Sequence, residues 1–215
     1  MQRILKKATE FFDVPVDLKS RFMILAGALL VVPTFIVPLW QFKFESDRYP
    51  DGLTLDVYVH TIEGGTESDL LEINALNHYL GMQSIEEDEI PQFNWFPFLL
   101  GVTIMLALRV IVIGKMSKLI DLFFFTVYLE GFAFWSFWTM ILDYGARITP
   151  FATVHIEPFV PPLLGSISIA NVQMTSGPNW GVLFLVLVPM AFLAAVCFSR
   201  RSWNLEHQPR KDYIG

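Results

Sequence analysis

The chain has 215 residues, of which 53% are hydrophobic and 17% are charged. Its mean hydropathy of +0.48 is too high for an ordinary soluble domain and indicates a membrane protein. The formal net charge of −6 disfavours nucleic acid as a partner. The single cysteine, Cys197, excludes disulfides within the chain and the paired-thiol chemistry of a membrane thiol oxidoreductase.

Four apolar stretches predict four membrane-spanning helices, over residues 22–42, 95–114, 119–142 and 181–198. A helix needs about 20 apolar residues to cross the hydrocarbon core, and it satisfies its own backbone polar groups in lipid. We therefore predict an all-α membrane protein with four transmembrane helices. The first span is expected to remain as an anchor rather than to be cleaved as a signal peptide.

The charged residues are sorted between the segments that join these spans. Eleven of the 15 Lys and Arg lie in the two terminal segments and the short 115–118 turn. In contrast, 14 of the 21 Asp and Glu lie in the loops 43–94 and 143–180. Because positive charge resists translocation, we expect both termini in the cytoplasm and both long loops on the exported face.

The N-terminal segment, 1–21, has apolar residues at helical spacing with Lys and Arg at many of the other positions. This pattern is typical of an amphipathic helix that lies on the lipids of the cytoplasmic leaflet, and an unstructured tail is the alternative. Residues 199–215 are expected to form a second cytoplasmic tail.

The first long loop, 43–94, has the pattern of a small α+β domain. Residues 53–62 alternate between apolar and polar, as in a half-buried strand. Ser68 is a candidate cap for a helix that follows. One stripe of that helix contains Leu70, Ile73, Asn77 and Leu80. A second stripe contains Asn74, His78 and Met82, provided that Gly81 does not end the helix first.

The second long loop, 143–180, is rich in Pro and Gly and poor in charge. Its centre, 154–165, reads as extended or polyproline-like chain. Since exposed apolar loops usually pack on another surface, we expect it to contact the first loop, the lipid headgroups or a partner. The tryptophans near the expected external boundary are typical headgroup anchors: Trp40, Trp95, Trp135, Trp138 and Trp180.

The candidate metal ligands all lie in the two long loops: His60, His78, His155, Met82 and Met174. Imidazole and thioether groups suit copper, and thioether favours Cu(I). A helix would point His78 and Met82 in the same direction, since they are four residues apart. Such pairs also arise by chance, so a surface histidine beside a packing methionine is the competing interpretation.

Two ionisable residues, Arg109 and Glu130, fall within the predicted spans. A charge at membrane depth costs ~3 kcal/mol or more on insertion scales and usually faces a partner. We expect the two side chains to contact each other, or Glu130 to bond to a partner subunit. An ion or proton path through Glu130 is the alternative, although few other polar residues line the spans.

Four segments carry a family resemblance: YPDGL at 49–53, DLLEINALNHYLGM at 69–82, FVPPLLG at 159–165 and IAN at 169–171. They are similar to a group of little-characterised four-span bacterial membrane proteins, associated with copper handling and nitrous oxide reductase accessory genes. The resemblance implies a place in the bacterial inner membrane, beside an exported copper enzyme or copper chaperone. It also implies His78 and Met82 as the ligands to test.

Nucleotide-binding, hydrolase and metalloprotease motifs do not occur in the sequence, and we predict that the chain is not an enzyme. The leading hypothesis is an accessory membrane protein that handles copper or assists assembly of a copper-dependent respiratory enzyme. Transient Cu(I) coordination would then involve Glu72 and Asn77 as outer neighbours of the ligands. The alternative is a non-catalytic scaffold subunit of a larger respiratory complex in the membrane.

Overall fold

A computed structural model of the chain describes residues 9, 11–149 and 156–206. Within these residues the helices are α1 (Leu18–Leu30), α2 (Asp69–Leu80), α3 (Gln92–Ile113), α4 (Met116–Ala146) and α5 (Trp180–Glu206). The strands are β1 (Trp40–Ser46), β2 (Tyr49–Val57), β3 (Ile62–Gly64), β4 (Gly165–Ile169) and β5 (Val172–Pro178). Two 3₁₀ turns occupy Val32–Phe35 and Glu87–Glu89.

Four helical stretches are long and apolar enough to cross a membrane: Leu18–Phe35, Gln92–Ile113, Met116–Ala146 and Trp180–Asn204. This confirms the prediction of four apolar spanning helices. Helices α3 and α4 extend three or four residues beyond one or both of their predicted ends, and α5 continues eight residues beyond its predicted end at 198. The first differs more, as its C-terminal part is not helical.

The first predicted span, 22–42, ends early as a helix. Helix α1 stops at Leu30, a 3₁₀ turn that contains Pro33 follows, and Trp40 already lies on a strand. Proline lacks the backbone N–H that would continue the helical ladder and its ring clashes with the preceding turn, so Pro33 favours an end of the α-helix before it. The span instead starts at Leu18, inside the segment 1–21 that was predicted as an amphipathic helix. Residues 1–8 and 10 of that segment lie outside the described residues.

Contacts divide the chain into two units. The first unit combines Met1–Val31, Gly101–Tyr128 and Val186–Gly215. The second, which we call the sheet unit, combines Val32–Leu100 with Leu129–Leu185 and contains all the strands.

Polar side chains join α1 to α5 within the first unit. The Asp17 carboxylate accepts hydrogen bonds from the Ser20 backbone N–H (3.1 Å) and the Ser199 hydroxyl (3.1 Å). The Ser20 hydroxyl donates to the Ala195 carbonyl (2.9 Å). Burial by itself raises the pKa of Asp17, but these hydrogen bonds outweigh it and hold the pKa below its ordinary value. A charged N-cap thus fixes the start of the first span.

Close packing continues along the same two helices at Gly27. A Cβ atom added at Gly27 would lie 2.6 Å from the Phe192 ring, which is itself fully buried. Glycine therefore allows α1 to approach α5 closely, as small residues do between membrane helices.

In the sheet unit, one antiparallel sheet has the strand order β3-β2-β1-β5-β4. Strand β1 is central, so that Trp40 pairs with Val57 on one side and with Pro178 on the other. The second long loop contributes β4 and β5, which follow the stretch 154–165 that was predicted as extended or polyproline-like chain. The two loops therefore build one sheet and not two separate structures.

The core of the sheet unit lies between one face of the sheet and the helices α2 and α4. Its buried members are Trp40, Phe42, Leu53, Leu55, Val57, Ile62, Ile73, Ile141 and Met174. The predicted alternation is confirmed, since Leu53, Leu55 and Val57 are buried while their strand neighbours are not. The interpretation of Trp40 as a headgroup anchor is wrong: the side chain is buried, and its indole N–H donates to the Ser176 hydroxyl (2.8 Å).

Candidate functional site

Helix α2, which contains His78, is held at its start by Asp69. The Asp69 carboxylate is buried and accepts hydrogen bonds from the Thr54 backbone N–H (2.9 Å) and the Thr66 hydroxyl. Burial raises the pKa of Asp69, but these bonds outweigh it and lower the pKa below its usual range. The predicted cap Ser68 instead places its hydroxyl 3.2 Å from that of Thr66. Asp69 thus ties the helix to β2.

The inner stripe of α2 lies where the sequence predicted it. Ile73, Asn77 and Leu80 are buried, and Leu70 is half-buried against the sheet. Among the described residues, the Asn77 side-chain nitrogen has no hydrogen-bond partner although it is buried. This stripe serves packing, with one polar group left unsatisfied.

His78 and Met82 do not share a helical face. Gly81 adopts a left-handed conformation (φ 77°) that ends α2 before Met82, and the Met82 N–H donates to the Asn77 carbonyl (2.7 Å). Met82 is buried, whereas the side chain of His78 is exposed. The helical spacing that suggested this pair as ligands therefore does not apply, because the chain turns between the two residues.

Asn74, the third member of that stripe, holds the chain that follows α2. Its amide oxygen accepts from the Ile85 N–H (2.7 Å), and its amide nitrogen donates to the Ile85 carbonyl (3.1 Å). The segment after the helix is thereby drawn back against α2. It bears the acidic run Glu86, Glu87, Asp88 and Glu89, all of them exposed.

His60 lies in the turn between β2 and β3. Its ring stacks on Phe35 with centroids 6.4 Å apart and packs against Tyr58 at 6.3 Å. The imidazole is exposed and rests among aromatic rings. This is the environment of a surface histidine, and none of the other candidate ligands is among its ring contacts.

Met174 is part of the hydrophobic core. It lies on β5 opposite Phe44 and Ile167 and is 5% exposed. His155 lies outside the described residues. In the part of the chain that is described, there is no group of three or more His, Cys, Asp or Glu arranged to hold a metal ion.

Neither Arg109 nor Glu130 takes part in the ion pairs that the described residues form. Those pairs are Lys43–Glu45, Lys118–Asp121 and Arg147–Asp143. Arg109 is exposed and Glu130 is half-buried. The expected contact between the two side chains, and the alternative roles of Glu130, stay predictions.

The sequence interpretation missed an exposed apolar surface on α2. Three residues at intervals of four form it, and we call them the outer stripe: Leu71, Ala75 and Tyr79. Leu71 is 72% exposed and Tyr79 is 45% exposed. The signal in the sequence was Leu71, an apolar residue on the helix side opposite the predicted core stripe.

Carboxylates lie on both sides of α2 along the chain. Glu67 precedes α2, and the run 86–89 follows it and is held back by Asn74. Glu72, on the helix itself, accepts a hydrogen bond from the Tyr49 hydroxyl, and this bond raises the pKa of Tyr49. The outer stripe is therefore apolar, and the chain before and after its helix is rich in exposed carboxylates.

Comparison of the sequence with protein-family models and with curated proteins found no match. The apolar helices therefore define the class by themselves, and that class is a multi-pass membrane protein with a small antiparallel sheet.

Proposed function

We propose that the chain is a non-catalytic accessory protein of a bacterial inner membrane, which docks a protein partner on its sheet unit. The sorting of Lys and Arg supports cytoplasmic termini and an exported sheet unit. The single observation that carries the proposal is the outer stripe of α2. A scaffold subunit needs such a surface, whereas a protein that acts alone does not.

The outer stripe contributes little to the fold itself. Helix α2 packs on the sheet through its opposite stripe, so the exposed side chains of Leu71 and Tyr79 lie free of the core. Protein interfaces typically have an apolar, often aromatic centre inside a polar rim. The exposed acidic residues before and after α2 favour a partner that surrounds its own apolar patch with Lys and Arg.

The test is purification from native membranes in a mild detergent, with and without the double change Leu71→Ser and Tyr79→Ser. The wild-type chain is expected to retain a partner with a basic exported face in a fixed stoichiometry. The double variant should lose it while its melting temperature stays unchanged. Because charge pairs across an exposed rim are screened by salt, the complex should also weaken as the salt concentration rises.

Val160→Ser is the matched control, since Val160 is 60% exposed and lies outside α2. This variant should keep the partner. Equal retention by the double variant and the control, or a wild-type chain that purifies without any partner, would overturn the docking proposal.

Copper handling is the second candidate function, and the exposed imidazole of His78 favours it. Coordination by His78 and Met82 requires the chain around Gly81 to rearrange, because Met82 is buried. His60, His155 and Met174 are the candidates to complete the set, and Met174 would have to leave the core. Thioether and imidazole donors of this kind suit Cu(I).

Anaerobic titration with Cu(I) against a competing chelator tests this second function. The double change His78→Ala and Met82→Ala should weaken binding, while Met105→Ala, an exposed methionine of α3, should not. Unchanged affinity in the double variant removes the copper proposal. Metal analysis of the purified complex separates the two functions, since a pure scaffold retains its partner without copper.

A further inference from the structure

The two edges of the sheet differ in how they are protected. Strand β3 is three residues long and bears the exposed Glu63 at its centre. A short strand with an outward charge resists pairing with another chain. Strand β4 is five residues long, reads GSISI, and lies in a stretch, 158–199, without a single Asp, Glu, Lys, Arg or His. Among the described residues, this edge has no charged side chain and no further strand beside it.

The isoleucines of β4 face the core but are incompletely covered. Ile167 pairs with Met174 and Ile169 pairs with Val172, and both partners on β5 are buried. Side chains directly opposite each other share a face of the sheet. The two isoleucines are nevertheless only half-buried. Among the described strands, β4 has a neighbour on one side only.

The geometry of the hairpin shows which backbone N–H and C=O groups of β4 do not bond to β5. A two-residue turn, Ala170–Asn171, joins the pair Ile169–Val172. The pair next to such a turn is hydrogen-bonded, and hydrogen-bonded pairs then alternate along the ladder. Ile167 and Ile169 therefore bond to β5, whereas Ser166 and Ser168 direct their N–H and C=O groups away from it.

We propose that β4 pairs with β4 of a second copy of this chain, antiparallel and in a register centred on Ile167. In this register Ser166 of each copy lies opposite Ser168 of the other, so that each pair exchanges both backbone hydrogen bonds. The two Ile167 side chains then meet on the core face, and the exposed Leu164 lies opposite Ala170 of the second copy. The two sheets become one continuous sheet.

The charge distribution allows a second copy to pair at this edge. Each chain has a net charge of −6, so two copies repel each other across most of their surfaces. The uncharged stretch around β4 is where identical copies can approach without that cost. Both copies are also anchored in one membrane, which raises their effective concentration and lets a small interface suffice.

Disulfide crosslinking in native membranes tests the register. In a Cys197→Ser background, Ile167→Cys places one thiol at the symmetry axis, where facing Cα atoms of a non-hydrogen-bonded pair are about 4.5 Å apart. Oxidation should give a covalent dimer at twice the mass of one chain. Glu63→Cys, on the protected edge, is the matched control and should give several-fold less dimer.

A proline then tests the backbone pairing. Ser168→Pro removes an N–H that points away from β5, so the sheet within one copy is expected to stay intact. Light scattering in mild detergent should show a dimer for the wild type and for Ser168→Ala, and a monomer for Ser168→Pro with little change in melting temperature.

Three results would overturn the proposal. The first is equal crosslinking of Ile167→Cys and Glu63→Cys. The second is a dimer that survives Ser168→Pro with undiminished stability. The third is a crosslinked product whose mass is not that of two identical chains. These measurements do not depend on the outer stripe. Their outcome therefore does not decide whether a partner docks on α2, which has its own test.

Discussion

Replacement of Asp69 by alanine should destabilise the sheet unit more than any other single change of an acidic residue in the first long loop. The carboxylate is 6% exposed and accepts from the Thr54 N–H and the Thr66 hydroxyl. A hydrogen bond to a charged group contributes about 1.5–3 kcal/mol. Loss of two such bonds, with a partly buried N–H left unpaired, should therefore cost about 3 kcal/mol or more at neutral pH.

The melting temperature of the purified chain in detergent measures this cost. For a chain of 150–250 residues, 1 kcal/mol shifts the melting temperature by about 2–4 °C, so Asp69→Ala should lower it by about 6–12 °C. Asp69→Asn can still accept from Thr54 and should fall between the wild type and the alanine variant. The control is Asp51→Ala, an exposed position on the same strand as Thr54, and it should have almost no effect.

The pH dependence supplies an independent check. The pKa of Asp69 is lowered in the folded state, so its stabilisation is present above the unfolded value of about 3.9 and is lost as the pH falls through the folded value. The difference between the wild type and Asp69→Ala should be complete at pH 7 and shrink below about pH 4. If Asp69→Ala melts like Asp51→Ala at pH 7, the reasoning from these hydrogen bonds is refuted.

Further changes test other parts of the molecule. Gly81→Ala should cost about 1 kcal/mol, measured by thermal unfolding, because φ is 77° there; an unchanged melting temperature would contradict the left-handed end of α2. Ala170→Gly should raise stability by up to about 1 kcal/mol, since Ala170 has a φ of 52° in a hairpin turn that suits glycine; a loss would argue against that turn. Trp40→Phe should cost about 1 kcal/mol through its lost indole hydrogen bond, and no loss would mean that the bond adds nothing. In a Cys197→Ser background, Asp88→Cys should react with an impermeant thiol reagent in intact cells and Lys118→Cys only after lysis; the reverse result would invert the proposed topology.

Local patterns predicted the helices well because their determinants are close together in the chain. Spacing and composition predicted the apolar spans and the inner stripe of α2. They also indicated that this helix could end at Gly81. The same reasoning placed Trp40 in a membrane span, since an apolar strand that follows an apolar helix has the same hydropathy. Only the pairing of Trp40 with Pro178 and Val57 shows that this residue lies on a strand and not in the helix.

The proposed ligand pair illustrates the other limit. His78 and Met82 satisfied a helical spacing rule, and one left-handed residue between them removes the shared face. The apolar stripe that includes Leu71 was missed because periodicity identifies the buried side of a helix more readily than an exposed one. Exposure becomes visible only after the opposite side has been packed against the sheet.

The sequence by itself determined that this protein has four apolar spanning helices, and its sorted charges predict which loops are exported. The spanning helices and the predicted topology both depend on composition, because transfer into lipid and retention of positive charge act on each segment separately. The tertiary structure decided that the two long loops share one sheet, which edge of that sheet is open and which stripe of α2 is exposed. Those features depend on hydrogen bonds and contacts between residues more than a hundred positions apart, such as Trp40 and Ser176, and no local pattern encodes such pairings.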